Sequence, residues 1–382
     1  MSWDKVKLAD CCLSISDGDH QPPPKAVSGV PFVTIANINK SNQFDFSDTM
    51  FVPKDYYDLL DSKRKAQVGD VLYSVVGSFG IPVLIKEERP FVFQRHIAIL
   101  RPNERINSAF LYYTMLSRDF YAKADAAAIG AAQRTVSLTS LRGLEIELPP
   151  LKVQEAIASK LSVYDNLIEN NQKQIKLLEE AARRLYKEWF VNFRFPRYED
   201  TPIVDGVPEG WERLPVGELI EKIPRTTQIM ASEYGKEGPI PIIDQSREFI
   251  AGYTDNHASL VNVGKPVIVF GDHTRILKYI QFPFAKGADG TQLIVSNTDR
   301  MPQSLFYCSL VGVDLSNYHY ARHFKYLKAE ELLVPTQVIA EAFDRFVSPM
   351  FSKIQRLRDI NKAATNARDR LLPKLMSGEI EV

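Results

Sequence analysis

From Leu151 onward, apolar residues recur in alternating steps of four and three: Ile157, Leu161, Tyr164, Ile168, Ile175, Leu178, Ala182, Leu185 and Trp189. Asn171 holds the single polar position that completes the pattern. Sustained over more than four heptads, this predicts a coiled-coil seam in which the lone Asn fixes register at some cost in stability. A second run, Phe343, Val347, Met350, Ile354, Leu357, Ile360, Ala364, Ala367 and Leu371, repeats the pattern with one extra three-residue step at Ile360. Each seam needs an apolar partner, and the other is the nearest candidate. A helix over 150–190 is about 60 Å long at 1.5 Å per residue. The linker that follows could retrace that length only when almost fully extended, so the two helices are expected to run antiparallel.

The segments ahead of each helix have a different rhythm. Residues 1–148 place short β-like runs at 30–38, 68–76, 81–85, 91–100 and 144–148 between turn signals, with helical stretches at 54–60 and 108–127. Trp3-Asp4-Lys5-Val6 opens this head, Trp211-Glu212-Arg213-Leu214 opens a second, and prolines close both, at Pro149-Pro150 and Pro335. The chain thus divides into a head (1–148), a helical spacer (149–192), a Pro- and Gly-containing linker (193–210), a second head (211–335) and a second helical spacer (336–378). The expected fold class is α+β: two similar α/β heads separated by two long antiparallel coiled-coil helices, with a pseudo-two-fold axis.

Composition adds limits. The 47 Lys and Arg balance 47 Asp and Glu, so any grip on nucleic acid must use local patches or a partner's charge. Cys11, Cys12 and Cys308 have neither metal-ligand spacing nor a disulfide framework. The first residues lack the regions of a signal peptide, and no apolar run suggests a membrane span. A cytoplasmic chain with no membrane partner is expected.

Catalytic signatures are missing: no Asn-Pro-Pro-aromatic tetrad, no glycine-rich nucleotide loop and no Gly-Lys-Ser/Thr phosphate loop. Asp55, Asp61 and Lys63 loosely imitate a nuclease cluster but read as a solvated charged helix. Asp17, Asp19 and His20 have no further metal ligand nearby, and His319 with His323 lack a third. No catalytic or metal residue is assigned, and no cofactor is expected on this chain. What stands out are loops mixing amide and cationic side chains, the types that read base edges with paired hydrogen bonds. The first head offers residues 16–21, 94–96 and 130–135, and the second offers 244–247, 272–275, 287–292 and 320–323.

The sequences LPPLKVQEAIASKLSVYDNLIENNQKQIKLLEEAARRLYKEWF (148–190), FGDHTR (270–275), ARHFKYL (321–327) and RDRLLPKLMSGEI (368–380), together with the duplicated head-plus-helix order, resemble the specificity subunit of Type I restriction-modification systems. The resemblance implies that the heads are target recognition domains, each reading half of a split site in double-stranded DNA. In the first, the DNA-contact candidates are Asp19, His20, Gln21, Gln94, Arg95, Gln133, Arg134 and Thr135. In the second they are Gln245, Arg247, His273, Thr274, Arg275, Arg322 and His323.

FGDHTR and ARHFKYL have no clear counterparts in the first head, whose matching regions read SVVGSFG (74–80) and AAQRTVSL (131–138). The two half-sites should therefore differ. The resemblance also makes the helices a spacer and a docking surface for two methyltransferase subunits, which bring S-adenosylmethionine, and through them for motor-nuclease subunits, which bring ATP and Mg. The seam positions, including Leu357 and Leu371, are the docking candidates. Seams and heads taken alone also permit a duplicated coiled-coil scaffold that bridges proteins without touching DNA.

Overall fold

The computed structural model describes residues 3–39, 41–131, 133–317 and 322–382. The chain divides into two compact units, Met1–Asn171 with Ile360–Val382, and Gln172–Asp359.

The first unit contains β1 (Asp4–Lys7), β2 (Cys12–Asp17), β3 (Val30–Val33), β4 (Met50–Val52), α1 (Lys54–Leu59), β5 (Val71–Ser74), β6 (Pro82–Leu84), β7 (Val92–Phe93) and β8 (Ile97–Pro102). Then come α2 (Ser108–Leu116), α3 (Arg118–Ala126), α4 (Leu138–Gly143), β9 (Glu145–Leu148) and the first part of α5 (Leu151–Tyr186). The second unit continues with a hairpin of β10 (Ile203–Val204) and β11 (Val207–Pro208), then β12 (Glu212–Pro215), β13 (Ile240–Ile243), β14 (Gly252–Thr254), β15 (Leu260–Val261), β16 (Val267–Gly271), β17 (Leu277–Ile280), β18 (Phe284–Lys286) and β19 (Thr291–Ile294). It closes with α6 (Gln303–Val311), α7 (His323–Ala329), β20 (Glu331–Val334) and the first part of α8 (Gln337–Met376).

The duplication is visible in the ladders. β1 pairs antiparallel with β9, Asp4 opposite Leu148, and β12 pairs antiparallel with β20, Glu212 opposite Val334. β3 runs parallel to β7, and β13 runs parallel to β18. β5 lies between β6 and β8, as β16 lies between β17 and β19.

Three expected elements are broken: the run 30–38 is a strand only over Val30–Val33 before a 3-10 turn at Ile35–Asn37, and two others break where apolar residues continue. The apolar run 91–100 forms two strands in different sheets, β7 beside β3 and β8 beside β5, because the chain turns at Gln94–His96. The stretch 108–127 is two helices, since Ser117 takes an extended conformation and its Oγ accepts from Phe120 N at 3.2 Å to cap α3. Period alone does not reveal either break, because apolar residues continue through both.

The seams are as anticipated over α5 but shift on α8. In the first unit Ile157, Leu161, Ile168 and Asn171 are buried and Tyr164 is half-buried. Asp165 meets Arg368 at 2.6 Å and Asn171 Nδ2 donates to Asn361 Oδ1 at 2.8 Å. The partner number falls as the first rises, so the helices are antiparallel within this unit. Ile360, expected in the seam, is 44% exposed, while Arg368 and Leu372 are buried and Ala367 and Leu371 are half-buried. The extra three-residue step therefore does not exist. Asn361 and Arg368 occupy seam positions and keep the four-three alternation, each satisfied by a polar partner on α5.

In the second unit Trp189, Phe343, Val347, Ile354 and Leu357 are buried, and Ile175, Leu178, Leu185 and Met350 are half-buried. Glu179 meets Arg358 at 3.1 Å, and the Trp189 and Phe343 rings lie 5.8 Å apart. The order is again antiparallel. Phe193 and Phe195 of the expected linker pack against Trp211 in the same core, so the linker carries anchoring aromatics. The cysteines are unpaired, and burial pushes the Cys12 and Cys308 thiols up to about 12, which keeps them as inert thiols.

Candidate nucleic-acid interface

In the first unit, strand pairing joins loops distant in sequence. Asp19 N donates to Phe93 O at 2.8 Å and Arg95 N donates to Asp19 O at 2.9 Å, which pins residues 17–21 to the β7–β8 turn. Val75 N donates to His96 O at 2.8 Å, and Gly77 N donates to Arg134 O at 3.0 Å. Asp19, His20, Gln21, Gln94, Arg95, Gln133, Arg134 and Thr135 thus belong to one connected set of loops.

Their roles separate on inspection. His20, Gln21, Arg95, Gln133 and Arg134 are exposed, whereas Asp19 is buried. Gln94 Nε2 donates to His96 Nδ1 at 2.8 Å; burial, then Arg95, holds the His96 pKa below its ordinary value and keeps that nitrogen an acceptor. Arg134 pairs with Asp125 at 2.9 Å and lies over the Phe79 ring, which stacks on Tyr121.

The second unit builds its loops around Gln245. Its Oε1 accepts from His273 N at 3.0 Å, its carbonyl from Thr274 Oγ1 at 2.7 Å, and its Nε2 donates to Asp289 O at 2.8 Å. Both ends of this amide are engaged within the protein, so Gln245 organises three loops rather than offering a free edge to a base. Gly271 has no room for a side chain, since a Cβ would lie 2.1 Å from Thr274 Oγ1. Below, the buried Lys278 donates to Asp244 O at 2.8 Å and also to Glu248 O. Burial holds its pKa below the ordinary lysine range, against the pull of Asp244.

His323 is buried, and both its amide and Nδ1 contact Asp272 O at 2.9 Å, while Phe324 N donates to Asp272 Oδ1 at 2.7 Å. It ties α7 to the loop between β16 and β17. His273, Thr274, Arg275 and Arg322 remain exposed. Arg275 adopts φ +61° and donates to Leu315 O at 3.0 Å. Arg247 is exposed and lines a separate hollow with Glu179, Phe249, Tyr307 and Arg358.

Sequence reasoning placed Asp272 in the 272–275 loop without its inward role and missed Lys278. The available signal was a lysine in an otherwise apolar strand, an arrangement that requires buried acceptors. Ala132, Tyr320 and Ala321 of the candidate loops, and His319 of the considered metal pair, lie outside the described residues. Among the described residues, no group of three or more His, Cys, Asp or Glu is placed to hold a metal ion. No described helix is long and apolar enough to cross a membrane.

A family model described as Type I restriction modification DNA specificity domain matches residues 2–180. The MjaIX Type I restriction enzyme specificity subunit of Methanocaldococcus jannaschii is 24% identical, over 82% of this chain and 78% of its own. The HindI specificity subunit of Haemophilus influenzae is 22% identical, over 99% of both chains. Residues 2–180 thus carry a Type I restriction-modification DNA specificity domain, and the chain as a whole is similar to Type I specificity subunits. A solved S subunit from M. genitalium shares the fold of this chain, with a TM-score of 0.59 and 17% identity over 98% of this chain and 96% of that one. The three strands that frame these loops are repeated, β5 between β6 and β8 and β16 between β17 and β19, while the exposed residues fall on different connections in the two units.

Proposed function

We propose that the whole chain is a Type I specificity subunit that reads an asymmetric, bipartite site in double-stranded DNA, one half with each unit, and performs no bond-making itself. Methyltransferase subunits supply S-adenosylmethionine chemistry, and motor-nuclease subunits supply ATP- and Mg-dependent steps. One observation carries the reading: equivalent connections hold unlike side chains. Between β5 and β6 the chain offers Gly77-Ser78-Phe79, and between β16 and β17 it offers His273-Thr274-Arg275. Equal scaffolds with different hydrogen-bonding groups suit two different half-sites, because each base pair presents its own donor and acceptor pattern in the major groove.

Alanine at Gln133 and Arg134 is expected to weaken binding through one half-site, and alanine at His273 and Arg275 through the other, by about 1–3 kcal/mol per lost bidentate contact. Titrating duplexes altered in one half at a time checks this. Unchanged discrimination in all four variants removes these loops from the reading surface.

The docking role moves away from the seams, because their residues are occupied by the chain itself. Exposed apolar side chains on the same helices, Val163 (64%), Leu167 (40%) and Ile360 in the first unit and Leu177 (65%) and Phe346 (57%) in the second, are better suited to a partner. Val163→Asp with Leu167→Asp is expected to abolish co-purification of a methyltransferase subunit at unchanged melting temperature. Retained co-purification would exclude this face.

A further inference from the structure

The first unit carries a hollow of mixed charge that begins at Ser16 and Asp17 of the 16–21 loop and extends away from the other reading loops. β2, the 3-10 turn Ser62–Arg64 and α4 enclose about 610 Å³ bordered by Leu13, Ser14, Ser16, Lys63, Arg64 and Arg142. The fold fixes the cations there. Ser16 Oγ donates to Lys63 O at 2.6 Å, and Arg142 Nη2 donates to Ile15 O. Arg64 Nη1 reaches Asp19 Oδ1 at 3.5 Å.

Asp19 supplies an independent observation. Its side chain is 6% exposed, yet Oδ2 has no hydrogen-bond partner. Its Oδ1 accepts from Gln21 N at 3.3 Å, and the cation placed to offset the buried charge is Arg64. The guanidinium carries five donors in a fork that matches phosphate oxygens, and one Nη is engaged on Asp19. Two carboxylates also border the hollow, Asp17, which meets His20 at 2.8 Å, and Asp61, which accepts from the Lys63 amide at 2.8 Å, so its three cations leave a formal excess of one positive charge. In a chain with 47 acidic and 47 basic residues, attraction for DNA must be concentrated locally.

We propose that this hollow seats the phosphate backbone of DNA, with Lys63, Arg64 and Arg142 as phosphate contacts and Asp19 as the residue that positions Arg64. The proposal rests on the DNA-reading function above and separates grip from base reading within the first unit.

The test is the salt dependence of binding by the full chain, on its cognate duplex and on an unrelated one. Lys63→Ala, Arg64→Ala and Arg142→Ala should each weaken binding to both duplexes by the same factor. Each should also reduce the slope of log K against log salt by about 0.9. Asp19→Asn should reproduce the Arg64→Ala slope and add nothing to it in the double variant. Lys63→Arg, Arg64→Lys and Arg142→Lys should restore the slope, which a folding defect would not allow. Unchanged slopes, or losses confined to the cognate duplex, overturn the phosphate seat while Gln133→Ala with Arg134→Ala still reports base reading. If the wild-type chain distinguishes no duplex from any other, the DNA-reading function itself fails.

Discussion

Arg368→Met is expected to destabilise the first unit by about 3–5 kcal/mol, because it removes one partner of a buried ion pair and leaves the other charge stranded. Arg368 and Asp165 side chains are 11% and 15% exposed and meet at 2.6 Å. Burial alone would lower the Arg368 pKa, but Asp165 and then Asp369 raise it above its ordinary value, so the guanidinium stays charged. Asp165 also accepts from Tyr113 Oη at 2.7 Å, which extends the network into the core of the unit. Removing both charges should recover most of the loss, provided Tyr113→Phe accompanies Arg368→Met and Asp165→Leu, since the Tyr113 hydroxyl would otherwise be buried without that acceptor. Urea unfolding followed by amide exchange in α2 measures this. A single Arg368→Met variant as stable as the parent would show that the pair is not desolvated.

Gly18→Ala is expected to open the base of the first set of reading loops. A Cβ at this position would lie 2.2 Å from Phe93 O and 2.6 Å from Gln94 O. Both are backbone atoms and cannot swing aside. The strain should appear as loss of the Asp19 N to Phe93 O and Arg95 N to Asp19 O bonds, 2.8 and 2.9 Å in the native fold. Overpacking of this kind costs about 1–3 kcal/mol and occasionally more, and the upper end applies where no side chain can yield. Amide exchange at Asp19 and Arg95 should accelerate, and discrimination at one half-site should disappear while the other is kept. Native-like protection at both amides would refute the prediction.

The helices were legible because apolar residues spaced three and four apart line up on a single face only when the chain is helical. Their polar members were not. Arg368 and Asn361 look like surface residues until Asp165 and Asn171 are placed opposite them, and a rule that looks for apolar residues chose Ile360 and Ala367 instead. The loops show the same division. Amide and cationic side chains marked the right segments, but Gln245 and His323 turn inward because residues 289 and 272 supply their partners. Lys278 and Asp272, which hold that arrangement together, show in the sequence only as a lysine in an apolar strand and a member of the 272–275 loop, with nothing local to name their partners.

By itself the sequence determined the duplication, the two long helices and the segments that carry hydrogen-bonding loops, because periodicity and composition act over neighbouring residues. Only the tertiary structure decided which polar groups are buried and paired, which remain exposed to a ligand, and where three cations gather beside a buried carboxylate. Those outcomes depend on what a side chain meets across the fold, since burying a charge or an amide is tolerable only when a distant residue satisfies it.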